Sequence, residues 1–373
     1  MQDNGMDDKP INRDTETSVV STPSSTGSSE FGGYRFPRPL YLTRQSIQRK
    51  LDSAKPYPSK LGNITLDEAP RSIQTETSVG IVFRAVCDLE GHGFWIPFEG
   101  KEERVIAFKG YHNWHHHGYC EVDEDTGKFR IRNELARARV HSDNLIRLHR
   151  EGELNLALTR GLRQRGYGNL VIPVYEAREL SGMAYIAMEY VDGKDLSQKI
   201  EEGEFEVRRA VRLARDIARV LDVMKVEDIV HRDLKPRNVM VCGEGESEYA
   251  RVGDLGLAKR ADADIGVSVA IVGTRGSSAP EQFTGGYELS PNSDIYSLGF
   301  IIREMLLGSL DVDPRADISD FRRDVPGWLI ELATECMRKD ETRPLGRITV
   351  KRKSPKRPTT KSLIKAFDEF LKS

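Results

Sequence analysis

The chain is predicted to fold as an α+β, two-lobed domain, with a small β-rich N-lobe and a larger helical C-lobe. Up to about residue 190 most regular segments read as strands, short runs of β-branched and apolar residues, with one charged helix among them. Beyond that point they read as helices with apolar residues at 3.6-residue spacing. A strand-rich part followed by a helix-rich part is the pattern of segregated α+β layers. With 373 residues, 38% of them hydrophobic, the chain has material for one such domain plus tails.

Taken in order, residues 1–35 are rich in Ser, Thr, Asp and Gly. Such a stretch buries too little apolar surface to offset its ordering entropy, so a disordered tail is expected. Residues 36–71 carry several prolines and basic residues and are expected to form an extended arm or linker. Residues 72–190 are expected to form the first lobe. Strand runs cover 81–86 and 104–109, and an aromatic and histidine-rich insertion spans 111–120. A charged helix is expected over about 130–163, then strands over 171–175 and 184–188. Residues 191–373 are expected to form the second lobe. Val211, Ala214, Ile217, Ala218 and Leu221 share one helical face, as do Ile295, Leu298, Ile302, Met305 and Leu306. Leu363, Ile364, Phe367 and Phe370 do the same in the last helix, and 345–356 reads as a basic insertion.

Lys and Arg total 56 against 58 Asp and Glu, a net charge of -2, which argues against bulk nucleic-acid binding. The four cysteines, Cys87, Cys120, Cys242 and Cys336, have no repeated short spacing and read as free thiols of a reducing compartment. Neither a signal peptide nor a membrane-length apolar run is found, and a cytoplasmic location is expected. The basic run from Lys351 to Arg357 reads as a solvated loop, with a nuclear signal as the alternative. His112, His115, His116, His117 and Cys120 are zinc-type ligands, but three adjacent histidines cannot all face one ion, so a packed or exposed loop is preferred.

The strongest chemical signal is His231-Arg232-Asp233-Leu234-Lys235-Pro236-Arg237-Asn238. Phosphoryl transfer to a hydroxyl needs a carboxylate to orient the hydroxyl, a cation on the transferring phosphate and a ligand for the metal. Asp233, Lys235 and Asn238 supply these three groups within six residues. Downstream, Asp254-Leu255-Gly256 offers a second metal carboxylate, with a glycine for a sharp turn. Gly273-Thr274 and Ala279-Pro280-Glu281 close the segment that follows. Asp294 opens the next helix, where it could cap that helix and hold the backbone of the 231–238 loop.

With these motifs in this order the chain resembles the eukaryotic-type protein kinase family, over about residues 72–373. The resemblance implies an ATP-dependent serine/threonine protein kinase using Mg²⁺, or Mn²⁺, on protein substrates. It implies Asp233 as catalytic base, Lys235 at the γ-phosphate, and Asn238 and Asp254 as metal ligands. Ala107 and Lys109, in Ile106-Ala107-Phe108-Lys109, are similar to the family's alanine above the base and lysine on the α- and β-phosphates. Of the three usual glycines of the phosphate loop only Gly80 is present, with Val82 over the base. Met188 resembles the gatekeeper, Glu189 and Val191 the backbone contacts to adenine, and Asp195 the ribose contact. The glutamate partner of Lys109 is expected to be Glu151, with Glu134 and Glu153 as weaker fits to the apolar spacing. That choice requires about twenty residues more than the usual spacing. The activation segment carries Ser268, the phosphorylation candidate facing Arg232, and Thr274, typical of Ser/Thr members. Glu281 is expected to pair with a late arginine, either Arg343 or Arg357.

Two other classes compete. A pseudokinase-like ATP-binding scaffold would account for the altered glycine loop. A small-molecule phosphotransferase of related fold would share the Asp, Asn, Asp set but lack the Ala-Pro-Glu closure.

Overall fold

A computed structural model describes residues 29–31, 34–36, 44–52, 64–66, 75–76, 80–87, 104–111, 120–122, 129–131, 134–180, 183–260, 276–283, 290–310, 313, 316–339 and 355–373. The first lobe is built on one antiparallel sheet. Its strands are β3 (Ile64–Leu66), β4 (Thr75–Glu76), β5 (Gly80–Cys87), β6 (Arg104–Tyr111), β9 (Val174–Leu180) and β10 (Met183–Glu189), in the order β3-β5-β6-β10-β9, with β4 also on β5. Two short hairpins stand apart, β1 (Ser29–Phe31) with β2 (Tyr34–Phe36), and β7 (Cys120–Val122) with β8 (Phe129–Ile131).

Side chains alternate across a strand, so the sheet has two apolar faces. Phe83, Ala85, Ile106, Phe108, Tyr185 and Ala187 form one, and Phe108 stacks on Tyr185 with ring centroids 4.9 Å apart. Ile47 of α1 (Arg44–Asp52) is buried against that face. On the other face Ala184 and Ile186 pack with Leu148 of α2 (Glu134–Gln164). The sheet thus has a helix-borne residue against each side.

Helix α1 also closes the sheet's rim. β3 is an edge strand, and the Gln48 amide donates to Ile64 O at 3.1 Å and accepts from Leu66 N–H at 2.9 Å. One side chain therefore satisfies two backbone groups that a further strand would otherwise engage. The 36–71 stretch is therefore not an extended linker throughout. Residues 44–52 are helix and 64–66 are a strand of the sheet, because apolar Ile47, Ile64 and Leu66 bury in its core. The first lobe begins before residue 72. Likewise β1 and β2 fall in and beside the 1–35 stretch read as disordered.

The predicted strand at 171–175 is shifted. Pro173 has no N–H for a ladder, and regular pairing starts at Val174. Residues before it run beside the second lobe instead, where Val252 N–H donates to Leu170 O and Ile172 N–H donates to Val252 O.

The second lobe is helical. α4 (Val207–Val226) buries the predicted Val211, Ala214, Ile217, Ala218 and Leu221. α5 (Asn292–Leu307), α6 (Gly327–Cys336) and α7 (Thr360–Lys372) pack with it around one apolar core. α5 ends on Gly308 at φ 61°, a left-handed position with Glu204 N 2.5 Å from where a Cβ would lie. Thr359 caps α7, and its Leu363 and Phe367 are fully buried. Short strands lie at the junction of the lobes: β11 (Lys194–Asp195), β12 (Ile229–Val230), β13 (Val239–Cys242), β14 (Tyr249–Val252) and β15 (Lys259–Arg260), with α3 (Leu196–Glu201) after β11. Among the described residues no helix is long and apolar enough to cross a membrane.

Candidate active site

A cavity of about 320 Å³ separates the sheet from the β13 and β14 strands. Val82, Ala107, Lys109 and Met188 line it from the sheet, on the face opposite α1. Glu189, Val191 and Asp195 line the connection between the lobes, and Asn238 and Asp254 the far end. Gly80, Glu151, Asp233 and Lys235 are not part of the lining. Gly80 pairs with Tyr111 at the start of β5, which forms a hairpin with β4.

At the inner end, Lys109 Nζ donates to Glu151 Oε1 at 3.2 Å and Oε2 at 3.3 Å, and to Asp254 Oδ1 at 2.6 Å. Lys109 and Glu151 are almost fully buried. Burial alone would lower the lysine's pKa, but attraction to Asp254 and Glu151 outweighs it and raises the value above the ordinary lysine range. For Asp254 burial works upward, and Lys109 overcomes it, holding the carboxyl below its usual range. Lys109 and Asp254 are therefore both charged at neutral pH.

Gly256 stands beside this trio. A Cβ there would lie 3.1 Å from Glu151 Oε2, 3.2 Å from Asp254 Oδ1 and 3.3 Å from Lys109 Nζ. Its glycine answers a close approach, not the sharp turn expected of it. The left-handed residue is Asp254 itself, at φ 53°.

The 231–238 loop is fixed from several sides. Asp294 Oδ2 accepts from His231 N–H at 2.8 Å and Oδ1 from Arg232 N–H at 3.0 Å. Asp294 therefore holds the loop as expected but makes no capping bond to α5. Arg232 is left-handed at φ 72°, and Gln282 Nε2 donates to its carbonyl at 2.7 Å. A strained residue persists where its surroundings over-determine it, as they do here. Lys235 Nζ donates to Asp233 Oδ2 at 2.7 Å, and Asn238 Nδ2 donates to Asp233 O at 2.7 Å. With its NH₂ so used, Asn238 keeps its carbonyl oxygen for another ligand. Together with the Asp254 carboxylate it forms a pair of hard oxygen donors at one end of the cavity, suited to a small divalent cation.

Asp195 lines the cavity, but its Oδ1 also accepts from Gln198 N–H at 3.0 Å and caps α3. Of the two candidate arginines, Arg357 pairs with Glu281. Arg357 Nη1 reaches Glu281 Oε1 at 2.5 Å and Nη2 reaches Oε2 at 3.0 Å, with both side chains buried. Ser268, Thr274, Arg343, the histidines of the insertion and residues 345–354 lie outside the described residues. Among the described residues no cluster of His, Cys, Asp and Glu could hold a metal ion by itself.

Sequence reasoning missed Ile172 and Met240, both in the cavity lining. Met240 was within reach, because strand alternation buries Val239 and Val241 and turns Met240 the other way.

A sequence model described as "Protein kinase domain" matches residues 160–367, more than half of the chain. Serine/threonine-protein kinase PknD of Mycobacterium tuberculosis is 31% identical over 191 residues, covering 50% of this chain and 27% of its own length. PknB of Mycolicibacterium smegmatis is 31% identical over 213 residues, covering 55% of this chain and 32% of its own length. The chain thus spans about a third or less of the length of these curated relatives. A crystal structure of the Mycobacterium tuberculosis PknI kinase domain, a double mutant, aligns with 82% of this chain and 94% of its own at a TM-score of 0.49 and 18% identity.

Proposed function

Since the chain belongs to the protein kinase domain family, we propose that it is an ATP-dependent serine/threonine protein kinase, transferring the γ-phosphate to protein hydroxyls with Mg²⁺ as the ion. The observation that carries this reading is the Lys109 ammonium. It joins Glu151 and Asp254, the latter 145 residues away in sequence, at the inner end of a nucleotide-sized cavity.

In this reading adenine lies under Val82 and Ala107, against the Glu189–Val191 backbone. Lys109 holds the α- and β-phosphates, and Glu151 keeps it extended. Asn238 and Asp254 would hold Mg²⁺, which when bound neutralises charge on the phosphates. Asp233 orients the substrate hydroxyl and takes its proton as the oxygen attacks the γ-phosphorus, and the bond to the β–γ bridging oxygen breaks to release ADP. Lys235, already 2.7 Å from that carboxylate, balances charge on the transferring group. A phosphate on Ser268 would order the activation segment by pairing with Arg232, whose Nε is buried without a hydrogen-bond partner.

The test is transfer of labelled phosphate from ATP, with Mg²⁺, to the protein itself and to a basic protein substrate. Asp233→Ala and Lys109→Met should each lower the rate at least about a hundredfold. Wild-type protein that transfers no label with Mg²⁺ or Mn²⁺, yet binds nucleotide, would instead make the chain a nucleotide-binding scaffold.

A further inference from the structure

The adenine reading uses only the backbone of Glu189, yet its carboxylate is fully engaged. Arg251 Nη1 donates to Glu189 Oε1 at 2.6 Å and Nη2 to Oε2 at 2.9 Å, a bidentate pair. The Arg251 side chain is almost fully buried, and among the described residues Glu189 is the carboxylate that acts on it. The other groups facing it are the Cys242 thiol and the Tyr249 hydroxyl, with Tyr175 of β9 close enough to feel both charges. Nη2 also donates to Val171 O at 3.3 Å.

Three segments thus meet on one guanidinium. Glu189 ends β10, where the chain leaves the first lobe. Val171 belongs to the stretch entering β9, and Pro173 in the same stretch accepts from Glu189 N–H at 3.0 Å. Arg251 lies in β14, three residues before Asp254, and Val252 beside it bonds with Leu170 and Ile172. Hydrogen bonds therefore join Glu189 at the adenine end of the cavity to β14, whose backbone runs on through Gly253 to Asp254 at the metal end, and the Arg251 side chain is the strut that links Glu189 directly to β14.

We propose that Arg251 is a positioning residue for the nucleotide, fixing the Glu189–Val191 backbone at a set distance from Asp254. It touches neither base nor phosphate. Without it, Glu189 and the connection it opens would shift relative to the metal end, and adenine and triphosphate could no longer engage both ends at once. The inference rests on the kinase reading of this cavity.

The experiment measures ATP turnover and binding of Mg²⁺–ADP to the full chain, for wild type, Arg251→Met, Arg251→Lys, Glu189→Gln and the Glu189→Gln/Arg251→Met double variant. Arg251→Met is expected to raise KM for ATP about tenfold and weaken Mg²⁺–ADP binding in step, with kcat within about twofold. Arg251→Lys should recover most of the affinity, and the double variant should bind no worse than either single one. Loss of thermal stability in folded Arg251→Met with KM unchanged would overturn the proposal, as would additive losses in the double variant. If Arg251→Met does not fold, Arg251→Lys and Glu189→Gln decide it, and wild-type KM in both overturns it. Wild-type protein that binds no Mg²⁺–ADP would sink the kinase reading itself, a result distinct from all of these.

Discussion

Glu304 of α5 is buried, and its Oε2 has no hydrogen-bond partner. Burial pushes its carboxyl up to about 8. In the unfolded chain it titrates near the ordinary glutamate value. A raised carboxyl favours the fold while protonated, and that contribution is lost as pH rises through the interval between the two values. Wild type should therefore lose stability relative to Glu304→Gln between about pH 5 and pH 8, by up to about 1.4 kcal/mol per pH unit. Urea unfolding of both proteins across that range checks this, and parallel curves would refute it. The same scale separates what could be read in the sequence from what could not. Lys109, Asp233, Asn238 and Asp254 are announced by words of consecutive residues. Arg251 and Gln48 sit in no such word, because each acts through a partner from a distant segment. The choice between Arg357 and Arg343 is open in the sequence for the same reason: both precede a proline, and only the packed chain shows the Arg357 guanidinium on Glu281.

Helices α4, α5 and α7 follow from apolar spacing, since each packs one face on a single core. Helix α1 does not. It is short, and among its described side chains Ile47 alone is fully buried, so its own pattern announces little of a structural role. Its place is set by the exposed alternative: without it, apolar Phe83, Phe108 and Tyr185 would face water on that side. Ile47→Ala should destabilise the first lobe by about 2–4 kcal/mol through lost burial and the cavity left behind. Gln48→Ala should cost less, about 1–2 kcal/mol, for the two part-buried hydrogen bonds it removes. Hydrogen exchange at Leu66, faster in Gln48→Ala than in wild type, would locate the loss; unchanged exchange would count against the contact.

Across the whole molecule, Arg357 joins the end of the chain to the loop before α5. It also donates to the carbonyls of Arg338 and Asn292, while its guanidinium lies 5.3 Å from the Tyr296 ring centroid. Removing one partner strands a buried charge, so Arg357→Ala should destabilise the second lobe by about 3–5 kcal/mol. Glu281→Gln should cost a comparable amount, and the double variant less than the two together. Denaturant unfolding measures the cycle, and additivity would mean the pair does not act as a unit.

The rim of β3 carries one more consequence. Proteins recruit extended peptides by letting them join a sheet as an added strand, and that mode needs an edge with free donors and acceptors. Here the Gln48 amide already plays the incoming strand at Ile64 and Leu66. A binding partner on that side must therefore read side chains of α1 rather than backbone, and withdrawing α1 would convert a closed border into an open invitation to self-association.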